Sequence, residues 1–198
     1  MNWNMYSDVF PLRYIAESKF DERLEEFLLN KSNLNILEIG GGTESCGPLK
    51  RNCRSHDVWL LDPYVDLNKE LYRGKVNWNT YKRFDLIVAR NCINYLSIND
   101  IETIPYLLKF GGRFLANTFK FLHDGFKSER EETNRLGEKV LETVSVRDGV
   151  VFHTLYRPDH DPIHHCFFCY NIHQYRDVCD CAFKYYGKNS VIIECTNA

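Results

Sequence analysis

Glu38 and Asp62 each close a short apolar run, Asn35-Ile36-Leu37-Glu38-Ile39 and Val58-Trp59-Leu60-Leu61-Asp62. Both runs have the continuous apolar character of central parallel strands, whose two faces are covered. A carboxylate in such a run is costly to bury unpaired, so Glu38 is expected to face a loop, a donor or a ligand. Gly40-Gly41-Gly42 follows it, and three glycines permit positive φ and a close backbone approach to whatever lies over the strand's carboxyl end. Asp62 comes after Glu38 at about the spacing at which a second strand's acid reaches a ribose diol, two carboxylate oxygens matching two vicinal hydroxyls. The pattern predicts a nucleoside-containing ligand over the edges of two neighbouring strands.

Charge selects among such ligands. A dinucleotide places its pyrophosphate on a helix N-terminus reached through Gly-x-Gly-x-x-Gly. Here Gly40-Gly41-Gly42-Thr43-Glu44-Ser45 lacks the third glycine and sets Glu44 near the phosphate position. That penalises NAD and a nucleotide-dependent oxidoreductase. S-adenosylmethionine carries no phosphate and meets no such penalty. At these residues the chain resembles the class I S-adenosylmethionine-dependent methyltransferases, whose first motif is a strand, an acid and a glycine-rich turn. The resemblance continues through Asp62-Pro63-Tyr64, through Phe84-Asp85-Leu86-Ile87-Val88-Ala89-Arg90-Asn91 as a fourth strand, and through Leu107 to Ala116 as helix end, Gly111-Gly112 turn and fifth strand. The order of four segments is more specific than any one of them.

The resemblance implies an α/β fold: a Rossmann-like, seven-stranded, mostly parallel sheet with an antiparallel C-terminal hairpin and helices on both faces. It implies that Glu38, Gly40, Gly41, Gly42 and Asp62 hold the cofactor, with Pro63 and Tyr64 beside the adenine. Arg90 could pair with the methionine carboxylate, or neutralise Glu38 or another carboxylate. Asn91 could hold the ammonium or an acceptor. The polar residue that commonly meets the adenine amino group is not evident, although Asn77 or Asn79 could supply an amide. The Asn-Pro-Pro-aromatic segment of DNA amino-methyltransferases is absent after the fourth strand.

The elements that must position these groups follow from periodicity. Within an N-terminal lid and helix over 1–30, residues 1–19 read as an aromatic lid, with Tyr6, Phe10, Arg13 and Tyr14 as candidates, or as a strap over the sheet edge. Phe20, Leu24, Phe27 and Leu28 then recur at helical spacing. Gly47-Pro48-Leu49 suits a short helix start, 66–72 a brief helix and 75–79 the third strand. Ser97 to Asp100 offers caps for a helix that carries Ile101, Ile104, Leu107 and Leu108 inward and ends at Gly111-Gly112. Residues 119–149 form an insertion, whose charged run Lys127 to Glu132 reads as a solvated helix start with Leu136, Val140 and Leu141 on the apolar face. His123, just past a strand's carboxyl end, is the candidate general base, since imidazole titrates near the working pH; an exposed loop histidine is the alternative. Val150 to Tyr156 reads as a strand, 170–181 as a helix, and Phe183–Tyr186 with Val191–Cys195 as the closing hairpin.

A chain of 198 residues, 44% hydrophobic, supports one domain over 1–198 with a full core. A net charge of -2 gives no basic field for duplex nucleic acid. The absence of a long apolar span or leader predicts a cytoplasmic protein without membrane attachment, and reduced thiols for its eight cysteines. Cys166-x-x-Cys169 with His173 offers three ligands for a structural zinc. The expected activity is in-line methyl transfer to a small-molecule acceptor. A non-catalytic subunit binding S-adenosylmethionine or a protein partner, and an RNA methyltransferase using Lys50, Arg51 and Arg54, are the alternatives; oligomeric state is not legible.

Overall fold

The computed structural model of the chain describes residues 6–41, 47–52, 54–62, 83–119, 122–169, 181–186 and 190–197. Helices α1 (Tyr6–Val9) and α2 (Pro11–Leu28) lead into strand β1 (Asn35–Ile39), helix α3 (Gly47–Asn52) and strand β2 (Asp57–Leu61). Strand β3 (Phe84–Ala89) is followed by a 3₁₀ turn (Ile93–Tyr95), helix α4 (Ile98–Leu107) and the long strand β4 (Leu108–Phe119). Strands β5 (Lys127–Thr133), β6 (Lys139–Arg147), β7 (Val150–Arg157) and β8 (His160–Phe168) come next, and β9 (Cys181–Tyr186) and β10 (Ser190–Thr196) close the chain.

The strands form two sheets. One has the order β2-β1-β3-β4-β10-β9, the other is β5-β6-β7-β8. In the first, β2, β1, β3 and β4 run parallel, whereas β10 is antiparallel to both β4 and β9. Its core explains the near-continuous apolar runs. Leu37, Ile39, Ile87, Phe114 and Ala116 pack with Ile101, Ile104 and Leu107 of α4. The alternate residues Ile36, Leu86, Val88 and Leu115 pack with Phe20, Leu24 and Leu28 of α2 and Leu49 of α3. Burial of the Val, Leu, Ile and Phe side chains among these contributes roughly 1.5–3 kcal/mol each. At the opposite edge from the glycine turn, Asp85 accepts from the Asn35 backbone N–H at 2.8 Å and from Lys109 Nζ at 2.8 Å. It thereby ties β1 and β4 to β3.

The sequence expectations of the fold meet two corrections, and some of them fall on residues that are not described. Six strands of the main sheet are described, and the residues read as its third strand, 75–79, lie outside the described residues, as do 66–72 and 170–180. The segment read as a helix from Lys127 onward is instead the β5–β6 hairpin. Its turn explains why: Asn134 Oδ1 accepts from the N–H groups of Leu136 and Glu138 at 3.0 Å each, and Gly137 takes φ +80°. Beyond it Val140, Glu142, Val144 and Val146 alternate inward, a period of two with β-branched residues that suits a strand. Gly111 and Gly112 do not end α4, which stops at Leu107; they form a bulge inside β4, where a Cβ on Gly112 would lie 2.8 Å from Lys109 O.

Two further expectations hold. Ser97 and Asp100 make a reciprocal cap on α4, with Ser97 N–H donating to Asp100 Oδ2 at 3.1 Å and Asp100 N–H to Ser97 Oγ at 3.2 Å. The closing hairpin is present as β9 and β10. Cys195, which stands opposite Cys181 in that hairpin's register, is disulfide-bonded, so the expectation of reduced thiols is corrected there. Among the described residues, no helix is long and apolar enough to cross a membrane.

Candidate active site

The carboxyl ends of β1, β2 and β3 meet at the glycine turn. Gly40 has φ +77°, and its N–H donates to Leu61 O at 2.7 Å, locking the turn to β2. A Cβ on Gly40 would stand 2.5 Å from Cys92 Cβ, so the backbone there admits no side chain. Cys92 in turn donates its thiol proton to Ile39 O at 2.9 Å. Glu38 is buried, and a Cβ on Gly41 would lie 3.1 Å from its carboxylate carbon and 3.1 Å from Leu60. The carboxylate therefore lies directly under the turn. Asp62 follows β2 and is half-buried at the same edge. Gly42, Pro63 and Tyr64 lie outside the described residues.

At the end of β3, Arg90 and Asn91 diverge. Arg90 donates from Nε to Asp21 Oδ1 and from Nη2 to Asp21 Oδ2, both at 2.9 Å. That pair joins the edge of the sheet to α2, the carboxylate-neutralising alternative with Asp21 as the acid. Asn91 takes φ 56°; its N–H donates to Asn117 Oδ1 at 2.6 Å, and Asn117 Nδ2 donates back to Asn91 Oδ1. Next to this pair, Thr118 donates to Asn94 Oδ1 at 2.7 Å and Asn94 Nδ2 to Phe168 O at 3.0 Å. The paired amides tie β3, β4 and β8 together beside the glycine turn. The amides Asn94 and Asn117 were not singled out from sequence, though a run of Asn91, Asn94 and Asn117 at two strand ends is a detectable signal.

The second sheet stands over this edge. Leu122 N–H donates to Cys169 Sγ at 3.1 Å, and Tyr95 meets Phe167 edge-on at 6.0 Å. On the inner face of the sheet, His153 Nε2 lies 2.7 Å from Glu142 Oε1, and Arg130 Nη2 pairs with Glu142 Oε2. Burial pushes the Glu142 carboxyl up, but the bond from His153 and the charge of Arg130 outweigh it and leave it below the usual carboxylate value. Phe10, only 1% exposed, covers this cluster, its ring 4.8 Å from that of His153 and 5.7 Å from that of His165. Phe10 thus packs on the inner face of the second sheet; the side chains of Tyr6, Arg13 and Tyr14 lie outside the described residues.

Two sequence candidates lie apart. His123 is exposed on the turn before β5, with its ring 5.8 Å from that of Phe126. Cys166 is exposed, whereas Cys169 is buried and bonded to Leu122. Residues three apart along an extended chain point to opposite sides, so the Cys-x-x-Cys spacing does not form a local chelate here. His173 lies outside the described residues. No group of three His, Cys, Asp or Glu side chains able to hold a metal occurs among the described residues.

Solved structures share the fold. The glycopeptide N-methyltransferase MtfA complexed with S-adenosyl-L-methionine superposes with a TM-score of 0.56 at 14% identity, over 91% of this chain and 94% of that one. The chain has the class I methyltransferase fold. The Burkholderia thailandensis 1,6-didemethyltoxoflavin-N1-methyltransferase matches this methyltransferase fold at 0.52 and 14% identity, over 98% of this chain and 84% of that one. An S-adenosylmethionine-dependent methyltransferase from Mesorhizobium loti matches it at 0.51 and 11% identity, over 89% and 97%. No family model and no curated protein matches the sequence.

Proposed function

We propose that the chain is an S-adenosylmethionine-dependent methyltransferase acting on a small-molecule acceptor. The observation that carries this reading is the glycine turn, where positive φ at Gly40 and the Glu38 carboxylate beneath Gly41 leave a cradle that a Cβ would fill. The three methyltransferase structures that share the fold support it, and two of them carry names of small-molecule or peptide N-methylation. The fold is completed in this reading by a strand at 75–79, making seven, with helices on both faces, and the chain acts as one domain with the second sheet as its insertion.

The bound cofactor would supply an electrophilic methyl group. Gly40, Gly41 and Gly42 would let the backbone approach it, Glu38 would hold the turn from below, and Asp62 would accept from its ribose hydroxyls, with Pro63 and Tyr64 as the residues for the adenine. Asn91, positioned by Asn117, presents its backbone to the cofactor's amino-acid end. Arg90 serves through Asp21 by fixing α2 beside the site. Holding an acceptor in line supplies much of the rate in such a reaction.

Calorimetric titration with S-adenosylmethionine, S-adenosylhomocysteine and NAD tests this. Micromolar binding of the first two, weakened in Asp62→Ala, is the expected result; binding of NAD alone, or of none of the three, overturns it.

A further inference from the structure

The inner face of the second sheet is apolar at both ends. Val140, Leu155 and Ile163 cluster with Val9 and Phe10 at one end, and Val146, Val151 and Phe167 with Tyr95 and Leu122 at the other. Between them sit Glu142, His153 and His165, which are 7%, 5% and 8% exposed. Burying an ionised carboxylate there costs several kcal/mol that a valine at the same position would not. The cluster therefore calls for a role beyond holding strands together.

We propose that His153 is the general base for an aromatic acceptor bearing a dissociable hydroxyl, with Glu142 as its positioning residue. This deepens the methyltransferase reading and rests on it for the methyl-transfer step. Four observations carry it. Glu142 accepts at 2.7 Å from His153 Nε2 and is itself held by Arg130, which also reaches Glu132 through Nε at 3.1 Å. With Nε2 carrying the proton, Nδ1 is the basic nitrogen, and among the described residues it has no hydrogen-bond partner. The rings of Phe10 and Phe167 flank His153, at 4.8 and 6.5 Å, so an acceptor taking the place of Phe10 would lie against aromatic and imidazole rings. Phe167 leads back through Tyr95 to the carboxyl edge of β3, where the cofactor cradle lies.

Phe10 also sits at the break between α1 and α2, with φ -96° and ψ 106°. The α1 end of that break is held to the β5–β6 turn by Arg135, which donates from Nη1 to Asp8 Oδ1 at 2.9 Å and from its backbone N–H to Asp8 O at 3.1 Å. An acceptor reaches the histidine by displacing Phe10, whose ring also packs with Val140 and Leu155 of the sheet. In the reaction the acceptor's O–H proton passes to His153 Nδ1 as an oxygen lone pair forms the new bond to the methyl carbon. The carbon–sulfur bond breaks with its electron pair going to sulfur. The imidazolium is stabilised by Glu142 and later loses its proton to water.

The test uses 4-nitrophenol, whose anion is yellow and whose neutral form is not, titrated into the full chain with and without S-adenosylhomocysteine at the pH where the free probe is half ionised. The expected result is a ratio of ionised to neutral probe about tenfold higher when bound than when free, a shift of one pKa unit. His153→Asn and Glu142→Gln should bind it with the ionisation of the free probe, while circular dichroism shows both folded. Should one variant fail to fold, the other decides. No probe binding to the wild type, or equal ionisation in wild type and folded variants, overturns the proposal. Because the probe is read in the free protein as well, failure of S-adenosylhomocysteine to bind strikes the cofactor reading and leaves the histidine assignment to its own result.

Discussion

Asp21 accepts two hydrogen bonds from Arg90, each at 2.9 Å, and the same carboxylate lies 3.0 Å from where a Cβ on Gly47 would stand. One acid on α2 therefore holds the loop after β3 and lies close against the start of α3, the two segments that flank the glycine turn. Both side chains are about four-fifths buried, so the fork is partly shielded from water. Asp21→Asn removes the charge but keeps the shape. It should lower unfolding free energy by about 1.5–3 kcal/mol, the range for hydrogen bonds to charged groups, measured by urea titration. Cofactor affinity should fall with it. Unchanged stability would show that the fork contributes nothing net.

Gly40 admits no substitute on two independent grounds. Its φ of +77° costs an L-residue about 1–2 kcal/mol, and an added Cβ would meet Cys92 Cβ at 2.5 Å. Gly40→Ala should therefore lower the melting temperature and abolish S-adenosylhomocysteine binding. Gly125→Ala makes the comparison, since it shares a positive φ of +81° but has nothing within 4 Å of an added Cβ. It should show the conformational cost alone and keep cofactor affinity. Equal effects of the two changes on binding would remove Gly40 from the site.

The glycine turn was legible because few sequences other than a ligand-binding strand end place an acid before three glycines. Legible too were the α2 stripe of Phe20, Leu24 and Leu28 and the Ser97–Asp100 cap, which depend on local spacing alone. The second sheet was not. Lys127 to Glu132 is charged at nearly every position, so neither period stands out, and the hairpin is decided by Asn134 and Gly137 in the turn beyond it. The Glu142–His153 pair was hidden for a related reason: its partners are eleven residues apart and meet only through the β6–β7 register. Arg90 was legible as a cation at the site, but its partner on α2 is sixty-nine residues away.

Acid should destabilise the fold in two steps. His56 is buried, burial lowers its pKa below the ordinary histidine value, and its Nδ1 accepts from the Leu34 N–H at 3.4 Å. Below about pH 6.5 the unfolded chain takes up this proton before the folded one, so stability falls as pH drops through that window. Asp85 and Glu142 act lower. Burial raises both, but Lys109 and the Asn35 N–H for the first, and His153 and Arg130 for the second, leave each below its ordinary value. Their contribution is complete above about pH 4–4.5 and is lost as pH falls through the depressed folded values. Urea unfolding measured from neutral to acid pH should show both steps. His56→Gln should remove the upper one and leave the lower.

Cys166 and Cys169 should differ in reactivity although they are three residues apart. Cys166 is exposed on β8. Cys169 is buried, which pushes its thiol above the ordinary value, and it accepts from Leu122 N–H at 3.1 Å while donating to Leu122 O at 3.5 Å. Thiolate is the reacting form, so burial and a raised pKa protect Cys169 twice. Iodoacetamide followed by peptide mass analysis should label Cys166 in the native protein and Cys169 only after denaturation. The same experiment reads the metal question directly. A zinc ion shared by the two sulfurs would need Cys169 to leave Leu122, and one equivalent of zinc would then slow labelling of Cys166. With the thiols on opposite sides of an extended chain, the expected rate is the same with and without zinc. A protected Cys166 would show that a ligand from outside the described residues reorganises the end of β8.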